Sequence, residues 1–240
     1  MRRAAGRWRS FITWQKLSVL GTFAAALLVA CYGWGEGVVI IPAPVFDNVR
    51  APGSPQIAVL AGGCFWGIQG VYEHVSGVRK AISGYAGGDQ STADYVVVSS
   101  GKTGHAESVQ ITFDPAEISY GQILQIYFSV AHDPTQLDRQ GPDRGKQYRS
   151  DIFFVDDIQK RIAEAYIAQL NKAQTFSSVI ATRVDPFEGF YSAESEHQDF
   201  LVHNPNSPYI VVNDLPKISN LRKVFPAMYR EDPITFDGDR

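Results

Sequence analysis

An apolar run that ends in two glycines, directly before a helical repeat, constrains the fold of this chain most tightly. Residues 57–61 read IAVLA, an uninterrupted apolar stretch typical of a strand buried on both faces. Gly62 and Gly63 permit a sharp turn after it. From Cys64 onward, apolar side chains recur at helical spacing, at Phe65, Ile68, Tyr72 and Val75. Cys64 is therefore predicted at the junction of a buried strand and a helix N-terminus.

The rest of the body continues this alternation of strands and helices. Apolar and alternating runs predict further strands over residues 78–85, 105–113, 152–155 and 179–184. Helical stripes predict helices over residues 119–132 and 156–174. Residues 133–148 read as a long loop, and the chain from Pro186 on as mostly irregular with short helical pieces. This order predicts an α+β domain with helices packed on one mixed sheet.

The composition is that of a globular protein. The chain has 240 residues, of which 45% are hydrophobic and 20% charged, and this excludes a disordered, collagen-like or multi-span membrane protein. It holds 22 basic and 25 acidic side chains, with five bases and no acid in residues 1–31. The remainder therefore carries 17 bases against 25 acids, a net charge of −8. We expect no nucleic-acid binding, because phosphate contacts need a basic face.

The first 31 residues have the layout of a targeting segment. Residues 1–16 are basic, and residues 17–30 form an apolar stretch that ends at Cys31. Three interpretations stay open: a cleaved secretory signal, a lipoprotein signal whose lipobox ends at a lipidated Cys31, and an uncleaved membrane anchor. Each predicts a body exported across the inner membrane, either periplasmic or anchored facing the periplasm. Residues 32–55 are then expected to be an extended Pro/Gly linker, residues 56–225 the catalytic domain and residues 226–240 a C-terminal tail.

Cys64 is the strongest candidate for chemistry. A thiol reacts as its thiolate, and the unpaired N–H groups at a helix N-terminus favour that form. The alternative is a buried structural cysteine. A disulfide with Cys31 is not expected, because Cys31 lies in the apolar leader. Cys64, His105 and Glu107 lack the short paired spacing of a metal site, so we expect no metal.

Glu107 lies in the predicted strand 105–113, on the same side as Val109, Ile111 and Phe113. If that side faces the core, burial raises the pKa of the carboxyl and keeps it protonated near neutral pH, where it can act as an acid. The alternative, favoured by position alone, is an exposed glutamate at a strand end.

Aromatic and polar side chains offer further candidates. Phe65 and Trp66 beside the thiol could form an apolar pocket, although the spacing of Phe65 equally predicts core packing. Tyr95, Tyr148, Asp143 and His105 are predicted in loops or at strand ends. Phenols there can hydrogen-bond a polar oxygen without carrying charge. Each of these four is by itself more typical of a structural role.

Four blocks of sequence resemble the methionine sulfoxide reductase A family. Residues 63–67 (GCFWG) are similar to its active-site signature, and Tyr95 with residues 101–107 (GKTGHAE) to its second block. Residues 132–136 (HDPTQ), 139–143 (RQGPD) and 147–150 (QYRS) resemble the third block, and Glu194 with residues 197–198 and 203–205 the fourth. The resemblance runs in the family's order from about residue 57 to residue 205.

The resemblance implies a fold and a reaction. The fold is a two-layer α/β sandwich with a mixed sheet, a split βαβ (ferredoxin-like) core and extensive coil. The reaction reduces the S epimer of methionine sulfoxide, free or in proteins, to methionine, which repairs an oxidative lesion.

The resemblance also implies residue roles. Cys64 would attack the sulfoxide sulfur and end as a sulfenic acid, while Glu107 would supply a proton to the departing oxygen. Tyr95 and Tyr148 would hydrogen-bond that oxygen, and Asp143 would help to order the site. The substrate-binding residues would be Phe65 and Trp66, which receive the ε-methyl group, together with Gly63 and His197.

The chain departs from the family pattern in two places. No cysteine follows Cys64, whereas many relatives carry recycling cysteines after the Asn-Pro block. Glu196 and Phe200 stand where tyrosines are common, which leaves the role of His197 open. We expect no bound cofactor and an external thiol, a thioredoxin-like protein or a small thiol, as the reductant of the sulfenic acid. The expected partners are oxidised proteins and free methionine sulfoxide, and the expected state is a monomer.

Two other functions compete with this interpretation. A thiol peroxidase would use the same activated thiolate but has no need for an aromatic methyl pocket. A non-catalytic sulfoxide-binding module would keep the pocket and have an unreactive Cys64.

Overall fold

The computed structural model of the chain describes residues 38–236. The predictions for the leader, Cys31 included, concern residues outside this range. Within the described range, no helix is both long enough and apolar enough to span a bilayer.

Within residues 38–236, eight strands form one large sheet and one small hairpin. They are β1 (Gln56–Gly62), β2 (Val78–Ala86), β3 (Ala106–Phe113), β4 (Arg139–Gln140), β5 (Asp143–Arg144), β6 (Ser150–Phe154), β7 (Arg183–Pro186) and β8 (Phe190–Ser192). The six-stranded sheet has the order β7-β6-β1-β3-β2-β8, and β4 pairs with β5. The sheet is mixed, because β6 and β7 are parallel while the other neighbours are antiparallel.

In the described part of the chain, six helices accompany the sheet. They are α1 (Phe65–Glu73), α2 (Tyr95–Ser99), α3 (Tyr120–Ile126), α4 (Asp157–Lys172), α5 (Phe200–His203) and α6 (Leu215–Val224). A π-helical turn, Tyr127–Ala131, follows α3, and a second, Ile210–Asp214, precedes α6.

The centre of the fold is a split βαβ unit, as the resemblance implied. β1 and β2 are both antiparallel to β3, so they are parallel to each other with β3 between them. Helix α1 connects them. Because Leu60 pairs with Val109, the end of β1 meets the start of β3. This register brings the turn at Gly62 beside Glu107.

The main hydrophobic core lies on one face of the sheet. Its inward side chains, such as Leu60 and Ile111, are fully buried with Ile68 and Tyr72 of α1 in the main core. The opposite face carries only a small apolar cluster around Val59, Ala61, Ala86, Ala106 and Phe153. The α+β prediction and the two-layer arrangement are confirmed.

Three details of the predicted elements are corrected. The strand predicted over residues 179–184 begins only at Arg183, because the Ile180 and Ala181 amides donate to Asn171 Oδ1 and the Pro134 carbonyl at 3.0 and 2.7 Å. The predicted loop 133–148 contains the β4–β5 hairpin. Strand β8, with three residues, is too short to show a periodic pattern.

From residue 38 on, the predicted linker is docked onto the body. Ile41 is buried in the core, and the Tyr166 hydroxyl donates to the Pro42 carbonyl at 2.6 Å. Asp47 Oδ1 accepts the Gly121 amide at 2.8 Å, which satisfies a free N–H group in the first turn of α3. Residues 38–51 therefore form a fixed strap rather than a loose tether.

Candidate active site

The turn between β1 and α1 holds Cys64 at the helix N-cap, with φ −56° and ψ 125°. Gly63 has φ +102°, and a Cβ there would lie 2.6 Å from the Gln140 side chain. A Cβ on Gly62 would lie 2.9 Å from the His132 ring. Both positions therefore require glycine. Cys64 is 9% exposed and is a free thiol.

Glu107 is buried directly beside this helix start. It is 2% exposed, and its Oε2 accepts the Phe65 amide at 3.1 Å. Burial raises the pKa of Glu107 to about 8; the Phe65 hydrogen bond opposes this shift and the charge of Asp143 adds to it. Glu107 is thus a protonated acid at neutral pH, as expected if its side of the strand faces the core. The alternative of an exposed glutamate is wrong, because the side chain is buried although it lies near the start of β3.

The expected ionisation of Cys64 is corrected by the structure. Burial raises the pKa of the thiol well above its usual value, and the charges of Glu107 and Asp214 raise it further. A hydrogen bond from the Trp66 amide lowers the pKa, which is the predicted helix effect, but burial outweighs it. Cys64 is a neutral thiol when no substrate is bound.

The Glu194 carboxylate fixes the backbone of Tyr95 by a hydrogen bond. Glu194 Oε1 accepts the Tyr95 amide at 2.9 Å, and Glu194 Oε2 accepts the Tyr85 hydroxyl at 2.8 Å. Burial raises the pKa of the Tyr95 phenol, and the charges of Glu107 and Cys64 add to this. The charge of Glu107 therefore raises the pKa of both the Tyr95 phenol and the Cys64 thiol, and Tyr95 stays protonated.

Tyr148 and Asp143 come from the segment around the β4–β5 hairpin. Burial, followed by the charges of Glu107 and Asp143, raises the pKa of Tyr148. Asp143 Oδ2 accepts the Tyr209 hydroxyl at 2.5 Å. The structure thus brings Cys64, Glu107, Tyr95, Tyr148 and Asp143 into one site.

An aromatic cluster flanks the thiol. Trp66 is half-buried, stacks on Phe200 with ring centroids 3.8 Å apart, and meets the edge of Tyr209 at 5.8 Å. His197 lies 4.2 Å from the Tyr95 ring and 5.4 Å from Phe65. Phe65 is fully buried, so the core-packing interpretation of its spacing also holds.

His105 has a structural environment. It is fully buried, and its Nε2 lies 3.0 Å from the Asp89 carbonyl. Among residues 38–236, no cluster of three or more histidine, cysteine, aspartate or glutamate side chains is placed to hold a metal ion.

Sequence reasoning missed one wall of the site. A cavity of about 30 Å³ beside Cys64 is closed by Tyr209, Asn213 and Lys217 from the C-terminal region, a part of the chain predicted as mostly irregular. The signal that could have found them is a charged pair, Asp214 and Lys217, spaced for one face of a helix.

The chain was compared with known proteins. The family model described as peptide methionine sulfoxide reductase matches residues 56–228. "Peptide methionine sulfoxide reductase MsrA 2" of Mesorhizobium japonicum is 58% identical over 188 residues, covering 78% of this chain and 96% of the relative. The protein of the same name from Synechocystis sp. is 50% identical over 190 residues, covering 78% and 88%.

Solved structures agree. Reduced Mxr1 from Saccharomyces cerevisiae superposes with a TM-score of 0.57 at 31% identity, covering 68% of this chain and 90% of that one. Methionine sulfoxide reductase A of Corynebacterium diphtheriae gives 0.56 at 30% identity, covering 72% and 88%. Since the site, the family match and these relatives agree, the chain belongs to the peptide methionine sulfoxide reductase A family and reduces methionine sulfoxide.

Proposed function

We propose that Cys64 is the nucleophile and Glu107 the general acid of the reduction. The observation that carries this proposal is the buried carboxyl of Glu107, protonated at neutral pH and bonded to the amide that follows Cys64. Since one carboxyl oxygen accepts that amide, the other can carry the proton toward the substrate. A proton donated to the sulfoxide oxygen makes the sulfur more electrophilic, so that Cys64 can attack it.

The balanced reaction transfers one oxygen atom. The sulfur–oxygen bond of the sulfoxide breaks, a sulfur–oxygen bond forms on Cys64, and the thioether leaves, so that Cys64 ends as a sulfenic acid. The proton that the thiol loses replaces the proton that Glu107 gave to the oxygen. The substrate sulfur gains two electrons and Cys64 loses two. Because the thiol of Cys64 is neutral in the free enzyme, it loses its proton only when the polarised sulfoxide is bound. Tyr95 and Tyr148 donate hydrogen bonds to the sulfoxide oxygen in this proposal, and Asp143 orders the wall beside Cys64.

The site has two chemically different walls, which suits selection of the S epimer. Trp66 presents an aromatic surface supported by Phe200, and we assign the ε-methyl group to this side, with Phe65 beneath it. Phenol and carboxyl groups form the other side. A sulfoxide is apolar at its methyl group and polar at its oxygen. Therefore only one epimer can place its methyl group and its oxygen against the matching walls while its sulfur faces Cys64. His197 supports the rings of Tyr95 and Phe65, and the close turn at Gly63 holds the thiol between the walls.

Recycling by an external thiol follows from the absence of a second thiol after Cys64 in the sequence. We propose a thioredoxin-like dithiol or a small thiol as the reductant. We also propose that the leader exports or anchors the enzyme, on the basis of its basic start and apolar stretch. This requires a reductant outside the inner membrane. Mass spectrometry of the mature N-terminus distinguishes cleavage, lipidation of Cys31 and retention, and an unprocessed chain found in the cytoplasm would contradict export.

The test compares substrates under turnover with excess dithiol. We expect turnover on the S epimer of methionine sulfoxide, little on the R epimer, and a lower rate on hydrogen peroxide. Cys64→Ser should be folded and inactive on all three. Faster turnover on peroxide than on the S epimer would instead support a thiol peroxidase.

A further inference from the structure

Glu194 is a half-buried carboxylate to which the proposed mechanism gives no role. Its Oε1 accepts the Tyr95 amide at 2.9 Å, and its Oε2 accepts the Tyr85 hydroxyl at 2.8 Å. Burial opposes ionisation of this carboxyl, but the hydrogen bonds from the Tyr95 amide, from its own amide and from the Tyr85 hydroxyl lower the pKa of Glu194. Glu194 is therefore ionised at neutral pH, and both of its oxygens act only as acceptors.

Tyr85 anchors one side of this contact in the six-stranded sheet. It is fully buried in β2, opposite Glu107 on β3 and Tyr191 on β8. The Cβ atoms of residues that stand opposite each other on antiparallel strands are about 4.5–5.5 Å apart. The Glu194 carboxylate is thus bonded to the part of the sheet that also positions Glu107, the proposed acid.

The other side of the contact is the start of α2, a helix of five residues with little packing of its own. Of its five side chains only that of Val98 is buried, and isolated helices this short are unstable in water. At the end of the helix, Gln147 Nε2 donates to the Ser99 carbonyl at 3.2 Å. At its start, where Tyr95 lies, the hydrogen bond to Glu194 joins the helix to the sheet.

The turn that contains Glu194 also supports the ring of Tyr95. The His197 amide donates to the Glu194 carbonyl at 3.0 Å, and the His197 ring lies 4.2 Å from the Tyr95 ring. The next side chain, Gln198, donates to the Ser83 carbonyl at 2.9 Å and accepts the Ser83 amide at 3.0 Å. Since Ser83 belongs to β2, the turn is fixed to that strand at a second point.

We propose that Glu194 is a positioning residue of the reduction, which fixes Tyr95 relative to the sheet so that the Tyr95 hydroxyl and Glu107 reach the same sulfoxide oxygen. This inference rests on the proposed role of Tyr95 as a hydrogen-bond donor to that oxygen. A donor stabilises the charge that develops on an oxygen when it is already in place, and a misplacement of about 1 Å can cost roughly 10²-fold in rate. In this proposal Glu194 acts through Tyr95 and does not touch the substrate.

The experiment is a double-mutant cycle on methionine formation from the S epimer in a single turnover. It compares the rates at saturating sulfoxide of the wild type, Glu194→Ala, Tyr95→Phe and the double variant. Glu194→Gln separates hydrogen bonding from charge, because its amide oxygen can accept the Tyr95 amide and its amide nitrogen can donate to the Tyr85 oxygen. Glu188→Ala, at a nearby exposed glutamate, is the control.

Glu194→Ala should lower the saturating rate by roughly 10–10²-fold. The half-saturating sulfoxide concentration should change by less than about threefold, because the lost interaction strengthens as charge develops on the oxygen. In the Tyr95→Phe background the same substitution should cost less than about threefold in rate, since the hydroxyl that it misplaces is absent. Glu194→Gln should keep most of the wild-type rate, and Glu188→Ala should keep all of it.

Tyr85→Phe takes the place of Glu194→Ala if the alanine variant does not fold. It keeps the buried ring and removes only the second hydrogen bond of the carboxylate, so it should slow the reaction several-fold, and only while the Tyr95 hydroxyl is present. Equal losses from Glu194→Ala in both backgrounds, or no loss in either, would overturn the inference, as would a Gln variant as slow as the Ala variant. A wild-type rate for Tyr95→Phe would contradict the proposed role of Tyr95 itself, and the inference with it.

Discussion

Glu107 illustrates how the surroundings of one residue decide its chemistry. Strand periodicity places it among apolar neighbours, but the same periodicity is compatible with an exposed strand end. The structure removes this ambiguity, because Glu107 is buried and its Oε2 accepts the Phe65 amide. The ionisation of Cys64 was predicted wrongly for a related reason. Helix position is visible in sequence, whereas burial and the nearby charge of Asp214 arise from tertiary packing.

The first residue-scale prediction concerns the pH dependence of the reduction. Glu107→Gln should slow methionine formation in a single turnover by about 10²–10⁴-fold, because the acid is removed. In the wild type the rate should fall as pH rises through about 8, where Glu107 ionises. Glu117→Gln, at an exposed glutamate, is the control. Glu107 would have no acid role if the Gln variant kept the wild-type rate.

The second residue-scale prediction concerns stability. The pKa of Glu107 is raised from 4.5 to about 8 in the folded chain, so the folded state holds a proton that the unfolded state releases above pH 4.5. The free energy of unfolding should therefore decline as pH rises from about 4.5 through about 8. Glu107→Gln lacks this decline and should be more stable than the wild type at pH 9, by about 1 kcal/mol or more. Urea titrations at pH 5 and pH 9 measure this, and an equal difference at both pH values would contradict it.

At the scale of elements, the β1–α1 turn depends on its glycines. Gly63→Ala should lower the free energy of unfolding by ~1–3 kcal/mol and reduce activity, because φ is positive and the new Cβ meets Gln140. Gly53→Ala is the matched control, since its Cβ would lie 3.8 Å from Pro115, an ordinary contact. Equilibrium unfolding in urea compares the two. Equal stability of both variants would show that the turn tolerates a side chain.

The strap over residues 38–51 gives a second prediction at this scale. Asp47→Ala should lower the free energy of unfolding by about 1 kcal/mol, because the first turn of α3 loses its acceptor for the Gly121 amide. Activity should not change, since Asp47 is not among the residues assigned to the site. Val49→Ala, at a side chain that is 87% exposed, should leave stability unchanged. A wild-type unfolding midpoint for Asp47→Ala would mean that the strap adds nothing to stability.

At the scale of the whole molecule, the fold class and most of the sheet are predictable because long apolar and alternating runs specify them. The C-terminal wall of the site is not, because its residues are brought to Cys64 only by long-range packing. Tyr209 and Lys217 lie roughly 150 positions from Cys64 along the chain, and the helical spacing of Asp214 and Lys217 indicates a helix face without indicating that it packs against Cys64. The docking of the strap could not be predicted for the same reason: Ile41 ends a short apolar run, residues 38–41, and its burial depends on its position against the body.

The central claim, that one buried thiol takes one oxygen atom from methionine sulfoxide, has a direct test. The reduced enzyme is mixed with the resolved S epimer without any reductant, and the methionine formed is counted per chain. One equivalent of methionine, with one sulfenic acid at Cys64 and no product from the R epimer, is the predicted result. No methionine, or repeated turnovers without added thiol, would contradict the account.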